Sequence, residues 1–232
     1  MKRLNFATVG LAVMATIFLL SGSLLAGTTT YHSSERSAYA SCYDFAYDEG
    51  TQTYTSTYFD SWWSESRQRT SGSGGSGGPG GGPVSYGYAY YSTYSVTYSE
   101  TGYVEQGSYG YGEVTDQSIT QFDSATASAT LTVYHYMASY DYETGEYTYT
   151  DLGSEDVAVD VALSGFGSTI KSRSSGGYVD PSHFNQTYNF LGQYRQATST
   201  ILIGDQAFSP VDGDCYGQLS EGKSNYMVTY NP

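Results

Sequence analysis

Basic residues are scarce in this chain. It carries nine Lys and Arg residues against 23 Asp and Glu residues, which gives a formal net charge of −14. Nucleic-acid binding depends on basic patches that neutralise phosphates, so this balance excludes DNA or RNA as an expected partner. The same acidity disfavours contact with anionic lipid, and it favours solubility and the binding of cations.

Long hydrophobic runs are also lacking, except for one at the N-terminus. The chain has a short basic patch at Lys2 and Arg3, mostly apolar residues over 6–20, and a small residue at Ala26. This layout predicts a secretory signal peptide, residues 1–26, which is removed from the mature protein. An uncleaved anchor is the alternative, since the apolar segment is just long enough to span a bilayer. We expect a secreted or cell-surface protein without a transmembrane helix in the mature chain.

Cysteine is limited to two residues, Cys42 and Cys215, near opposite ends of the mature chain. An even pair in an exported protein usually oxidises, so we predict a disulfide between them. The bond would close a loop of roughly 170 residues, and loops of this length give the largest entropic stabilisation. Two free, buried thiols are the alternative.

Residues that could carry catalysis or hold a metal are few. The three histidines and the scattered carboxylates provide no catalytic or zinc-binding signature. A weak calcium candidate remains, because Asp212 and Asp214 flank a glycine and Asp205 lies upstream, and calcium prefers carboxylate oxygens. We therefore predict no catalytic residue and no cofactor other than possible calcium at Asp205, Asp212 and Asp214.

The strongest pattern present is the alternation of apolar and polar residues over 122–163. Small and branched apolar residues share one parity, and Ser, Thr, Tyr and Asp share the other, as in strands with one buried face. The apolar set is Ala125, Ala127, Ala129, Leu131, Val133, Val157, Val159, Val161 and Leu163. No window has a helical period. The pattern predicts an all-β protein, an antiparallel β-sandwich or alternatively a small closed barrel.

Tyrosine is unusually abundant, with 27 residues. Over residues 84–98, Tyr86, Tyr88, Tyr90 and Tyr94 share one parity with Val96, opposite mostly Ser, Gly, Ala and Thr. Tyrosine can take the place of aliphatic residues on a buried face while its hydroxyl reaches the edge. We therefore predict a Tyr-rich core.

The remaining segments define the expected domain organisation. Residues 27–41 are predicted to be a disordered polar leader, and residues 42–232 a single all-β domain. Residues 71–83, SGSGGSGGPGGGP, cannot bury apolar surface and predict a flexible loop; an interdomain linker is the alternative. Residues 165–180, with the rare cations Lys171 and Arg173, also read as a loop.

Aromatic residues are the best candidates for ligand contact. Trp62, Trp63, Tyr109 and Tyr111 could stack on a ligand, although tryptophan more often packs in a core. The primary hypothesis is an exported binding or structural module that contacts a polysaccharide or another surface protein. A secreted glycan-active enzyme, an outer-membrane β-barrel and a self-associating Tyr/Gly-rich matrix protein are the alternatives.

Overall fold

Long antiparallel strands make up nearly all of the structure. The computed structural model describes residues 27–72, 82–180, 184–208, 210 and 213–230. In these ranges the strands are β1 (Gly27–Asp48), β2 (Thr53–Gly72), β3 (Val84–Ser99), β4 (Gly102–Thr120), β5 (Ser124–Asp141), β6 (Tyr147–Asp180), β7 (Phe184–Ile203), β8 (Gln206–Ala207) and β9 (Asp214–Tyr230). The all-β prediction is confirmed.

The strands form one sheet whose two ends meet. Strands β1 to β6 pair in chain order, β1 also pairs with β9, β9 pairs with β7, and β7 pairs with β6 to complete the ring. Every pairing is antiparallel, and the two-residue β8 flanks β7. This ring is the closed-barrel form of the predicted antiparallel fold. Closure gives most strands a partner on both sides, which removes exposed edges.

The interior is filled by the alternating apolar residues that the sequence analysis singled out. On β5 and β6, Leu131 lies opposite Val157 and Ala129 lies opposite Val159. These side chains belong to one core cluster with residues of the other strands, including Ala40, Phe59, Trp63, Ala89, Ile201 and Leu219. The predicted pair of strands is therefore confirmed as part of the core.

Tyrosine lies mostly outside the barrel, so the prediction of a Tyr-rich core is wrong. Tyr86 is 56% exposed, whereas Ala89 points inward on β3 and is 1% exposed. Tyr91, which shares the parity of Ala89, is only partly buried against the core. The interior has little room for phenol rings. A Cβ on Gly87 would come within 2.6 Å of Trp63, and one on Gly110 within 2.7 Å of Val133. Small residues on β3 and β4 thus accommodate the bulk of their neighbours, and the intervening tyrosines face solvent.

The segment predicted to be a disordered leader, residues 27–41, forms the first part of β1 instead. It is hydrogen-bonded to β2 on one side and to β9 on the other. Its hydroxyls also pair across strands, since the Oγ atoms of Ser37 and Ser220 lie 2.7 Å apart. The segment is ordered because both edges of its backbone are paired and because Ala38 and Ala40 are buried in the core.

Three other sequence predictions concern connecting segments and termini. Residues 165–180 form part of β6, not a loop, because they pair with β7 after a bulge between Phe166 and Ile170. The proposed Gly-rich loop at 71–83 lies largely outside the described residues, although Ser71 and Gly72 end β2. The predicted signal peptide, residues 1–26, also lies outside them.

The predicted disulfide between Cys42 and Cys215 is confirmed. The two residues lie opposite each other on β1 and β9, where the N-terminal and C-terminal strands meet. The bond therefore crosslinks the pairing that joins the two ends of the chain.

Candidate ligand-binding face

Tyrosine rings cover much of the outer surface of the barrel from β2 to β6. The ring centroids of Tyr58 and Tyr90 are 6.1 Å apart, and those of Tyr109 and Tyr134 are 5.6 Å apart. Similar contacts join Tyr54 to Tyr94, Tyr98 to Tyr103, Tyr103 to Tyr140, and Tyr136 to Tyr149. Such pairs contribute about 0.5–1.5 kcal/mol beyond their burial. These pairs and small clusters of rings lie on one outer surface, called the aromatic face below.

A groove of about 580 Å³ opens in the aromatic face over β2, β3 and β4. Strand register builds it, because Tyr90 lies opposite both Asp60 and Tyr111, and Tyr88 lies opposite Glu113. The groove is lined by Asp60, Tyr86, Tyr88, Tyr90, Tyr111, Gly112 and Glu113. Alternate residues of a strand are about 6.7 Å apart, so the three β3 tyrosines form a row roughly 13 Å long.

Two carboxylates give the groove a negative character. The hydroxyl of Tyr88 donates a hydrogen bond to Oδ2 of Asp60 at 3.3 Å. Burial raises the pKa of Asp60, and the Tyr88 hydrogen bond opposes this shift. Burial and the neighbouring Asp60 charge raise the pKa of Tyr88 to about 12, so this phenol remains a donor at neutral pH. Glu113 supplies the second carboxylate, and the described residues that line the groove include no Lys, Arg or His.

A second carboxylate–phenol pair lies on the same face beside the groove. Tyr136 donates a hydrogen bond from its hydroxyl to Oε1 of Glu105 at 2.5 Å. Its ring lies over Gly107, where a Cβ would approach the hydroxyl oxygen to 2.5 Å. Burial, followed by the hydrogen bond to Glu105, raises the pKa of Tyr136. The ring is thus held flat against β4 and fixed in position.

The predicted stacking residues separate into an outer and an inner set. Tyr111 is 65% exposed and lines the groove, while Tyr109 lies beside it on the aromatic face. Trp62 also faces outward, 6.0 Å from the ring of Tyr86. Trp63 is completely buried in the core, so its prediction as a stacking residue is wrong. Adjacent residues on a strand point to opposite faces of the sheet. Trp62 therefore lies outside the closed sheet, and Trp63 lies inside it.

Most residues of the groove have no signal in the sequence. The regular spacing of Tyr86, Tyr88 and Tyr90 predicts that they share one side of the strand, but it favours the buried side, whereas they face outward. Asp60 and Glu113 had no distinguishing local motif, because only the pairing of three strands brings them to one groove. The small residues Gly87 and Ala89 between the tyrosines were the available signal for an outward-facing row.

The calcium candidate stays a prediction. Asp205 lies in the turn before β8 and Asp214 begins β9, whereas Asp212 is outside the described residues. Among the residues whose positions are described, no group of three or more His, Cys, Asp or Glu side chains is arranged to hold a metal ion. That part of the chain also has no helix long and apolar enough to cross a bilayer.

The fold and its outer groove thus define a closed antiparallel β-structure with an aromatic, negatively charged outer face. No protein-family model matches the chain, and no curated protein matches it. Among solved structures, a match is the outer membrane protease OmpT from Escherichia coli, at 5% sequence identity and a TM-score of 0.18, covering 90% of this chain and 99% of that one. A TM-score of this size does not indicate a common fold.

Proposed function

We propose that this protein is an exported binding module that holds a polysaccharide chain in the groove of its aromatic face. The observation that carries the proposal is the row of Tyr86, Tyr88 and Tyr90, with Asp60 and Glu113 at its sides. Export is supported by the predicted signal peptide and by the disulfide, which forms in oxidising compartments.

The chemistry of the groove matches a sugar chain. Exposed tyrosine rings offer apolar faces for the C–H surfaces of sugar rings, and their hydroxyls provide polar contacts. Carboxylates accept hydrogen bonds from sugar hydroxyls. Because Asp60 and Glu113 are not balanced by any cation in the lining, a neutral polysaccharide fits better than an acidic one.

The outer-membrane β-barrel alternative is disfavoured by the outer surface of β5 and β6. Ser128 donates a hydrogen bond to Asp160 at 2.5 Å, and Thr132 donates one to Asp156 at 3.0 Å, all on the outside of the barrel. A lipid-facing band would need apolar residues at these positions. Partition of the folded protein into detergent micelles would support the membrane alternative.

A glycan-active enzyme is a second candidate, favoured by one observation. Asp60 and Glu113 line the same groove, and burial raises the pKa of Asp60, as expected for a general acid. Release of reducing sugar from a bound polysaccharide, abolished by Asp60→Asn and Glu113→Gln separately, would establish catalysis. Retention of the polysaccharide without release supports a binding module.

The direct test is retention of the folded protein on insoluble neutral polysaccharides such as cellulose, chitin and xylan. Removing one stacking ring should cost about 1 kcal/mol, roughly fivefold in affinity, so Tyr86→Ala and Tyr111→Ala should weaken binding. Tyr188→Ala is the matched control, since Tyr188 is 49% exposed on β7, three strands from the nearest strand of the groove. Equal effects of all three variants, or no retention on any polysaccharide, would contradict the proposal.

A further inference from the structure

The basic residues of this acidic protein are concentrated at one end of the barrel. The chain enters β1 at Gly27 and leaves β9 at Tyr230 at this end, called the terminal end below. Here β2, β1, β9, β7 and β6 pair in that order beyond the apolar core. Six of the seven Lys and Arg residues that follow the predicted signal peptide lie on these extensions: Arg36, Arg67, Arg69, Lys171, Arg173 and Lys223.

Strand parity places these side chains on the inner side of the rim. Arg36 is two residues from the buried Ala38 on β1, and Lys223 follows the buried Leu219 with the same parity on β9. On β2, Arg67 and Arg69 continue the parity of the buried Trp63. On β6, Lys171 lies opposite Gln193, which shares the parity of the buried Ala197. The six residues therefore line one concave rim, called the basic mouth below.

Most of the positive charge in the basic mouth is uncompensated. Glu221 contacts Lys223 at 3.1 Å and Arg36 at 3.6 Å, and it accepts a hydrogen bond from Gln193 at 2.6 Å. Glu65 is the other carboxylate in these rows, opposite Arg36. The other four cations, Arg67, Arg69, Lys171 and Arg173, form no ion pair with any residue that the structure describes. On the inner side of the rim, six cations against two carboxylates leave a formal excess of four positive charges. With Glu35 and Asp180 on the outer side of the same extensions, the excess is two.

The opposite end of the barrel has the reverse charge. Its three tight turns, called the acidic turns below, join β1 to β2, β3 to β4 and β5 to β6. Their carboxylates are Asp48, Glu49, Glu100, Asp141, Glu143 and Glu146, and no Lys or Arg occurs in residues 43–54, 95–106 or 137–152. Backbone N–H groups donate hydrogen bonds to Asp141, chiefly that of Thr144, and these lower its pKa.

We infer that copies of this protein associate end to end, with the acidic turns of one copy seated in the basic mouth of the next. Charge complementarity identifies a second copy as the occupant, because one chain carries both the excess of cations and the matching carboxylates. The β5–β6 hairpin is the element that enters the mouth, since residues 147–157 of β6 pair only with β5 among the described residues. The contact joins two different surfaces and does not close on itself, so it builds linear chains.

The contact has a defined dependence on salt. Two copies of a protein with an overall negative charge repel each other, so the association depends on charges within a screening length, about 8 Å at physiological ionic strength. Each exposed ion pair contributes less than about 1 kcal/mol, so several pairs have to act together. At 1 M salt the screening length falls to about 3 Å, and the association should be lost.

Sedimentation velocity over a range of protein concentrations tests the inference. The wild-type protein should form species larger than a monomer at physiological ionic strength and should be monomeric at 1 M salt. Arg67→Gln with Arg69→Gln should be monomeric under both conditions. Thr126→Glu with Thr130→Glu changes the net charge by the same amount on the exposed wall of β5 and should still associate.

Charge reversal provides the decisive arm of the experiment. The variant Arg67→Glu with Arg69→Glu and the variant Glu143→Lys with Glu146→Lys should each fail to associate alone, and a mixture of the two should form chains again. A wild-type protein that stays monomeric at every concentration would overturn the inference. The inference would also be overturned if the protein stayed monomeric and used Arg67 and Arg69 to bind dextran sulfate. The basic mouth would then be a site for a soluble polyanion.

Discussion

Removing the disulfide tests how the ring is stabilised. Cys42 and Cys215 join β1 to β9 at a sequence separation of 173. The double variant Cys42→Ala with Cys215→Ala removes this crosslink and keeps the β1–β9 pairing, which extends from Gly27 to Tyr43. Cys42 is only 1% exposed, and alanine fits its site because alanine is smaller than cysteine. The folded ring should therefore form in the variant.

The expected loss follows from the length of the closed loop. A crosslink spanning 173 residues lowers the entropy of the unfolded chain enough to contribute about 5 kcal/mol. With a typical urea dependence of 2–3 kcal/mol per molar, the midpoint of unfolding should fall by roughly 2 M. Equilibrium unfolding in urea, followed by circular dichroism, measures this shift. Reducing the wild-type disulfide should reproduce it, whereas reductant should leave the double variant unchanged.

A midpoint within about 0.4 M of the oxidised wild type, less than about 1 kcal/mol, would refute the reasoning. Such a small shift would mean that the β1–β9 contact persists in the unfolded chain without the disulfide, or that the disulfide does not constrain the unfolded chain. A shift on reduction that the double variant does not reproduce would show that alanine at these positions perturbs packing.

Other substitutions test the interior, the basic mouth and the groove by urea unfolding. Trp63→Ala should lower the free energy of unfolding by about 3–5 kcal/mol, because the Trp63 side chain fills the core. Trp62 points outward, so Trp62→Ala should lower it by no more than about 1 kcal/mol. Burial alone would raise the pKa of Glu221, but hydrogen bonds from Lys223 and Gln193 outweigh burial and lower this pKa below its usual value of 4.5. The contribution of Glu221 to stability should therefore be present above pH 4.5 and be lost as the pH falls through the lowered pKa. Glu221→Gln should reduce this dependence of stability on acid pH. Because the pKa of Tyr88 is raised to about 12, its contribution should be present below pH 10 and lost as the pH rises towards 12, and Tyr88→Phe should reduce this alkaline loss.

The core of the fold could be predicted from the sequence because its signal is local. The alternation around Leu131 and Val159 identifies a buried face without knowledge of the partner strands. The position of the tyrosines could not be predicted in the same way. Alternation shows that Tyr86 and Tyr88 share a side of the strand, but it does not show which side is buried. The volume inside the closed sheet decides this, because it accommodates the small side chain of Ala89 and not the tyrosine rings.

The groove and the two charged ends depend on register between distant segments. Asp60 and Glu113 are more than fifty residues apart in the chain, and each is an isolated carboxylate until β3 aligns them. Likewise, Arg67 and Lys171 join one rim only because β2, β1, β9, β7 and β6 are neighbours in the ring. A net charge of −14 gives no indication of this separation.

Fluorescence quenching of single-tryptophan variants tests most directly that apolar residues fill the barrel and aromatic residues cover it. In Trp62→Phe the remaining Trp63 should emit at short wavelength and resist acrylamide, because it is fully buried. In Trp63→Phe the remaining Trp62 should be quenched more readily. Ready quenching of Trp63 in folded Trp62→Phe, or equal protection of both residues, would contradict the account.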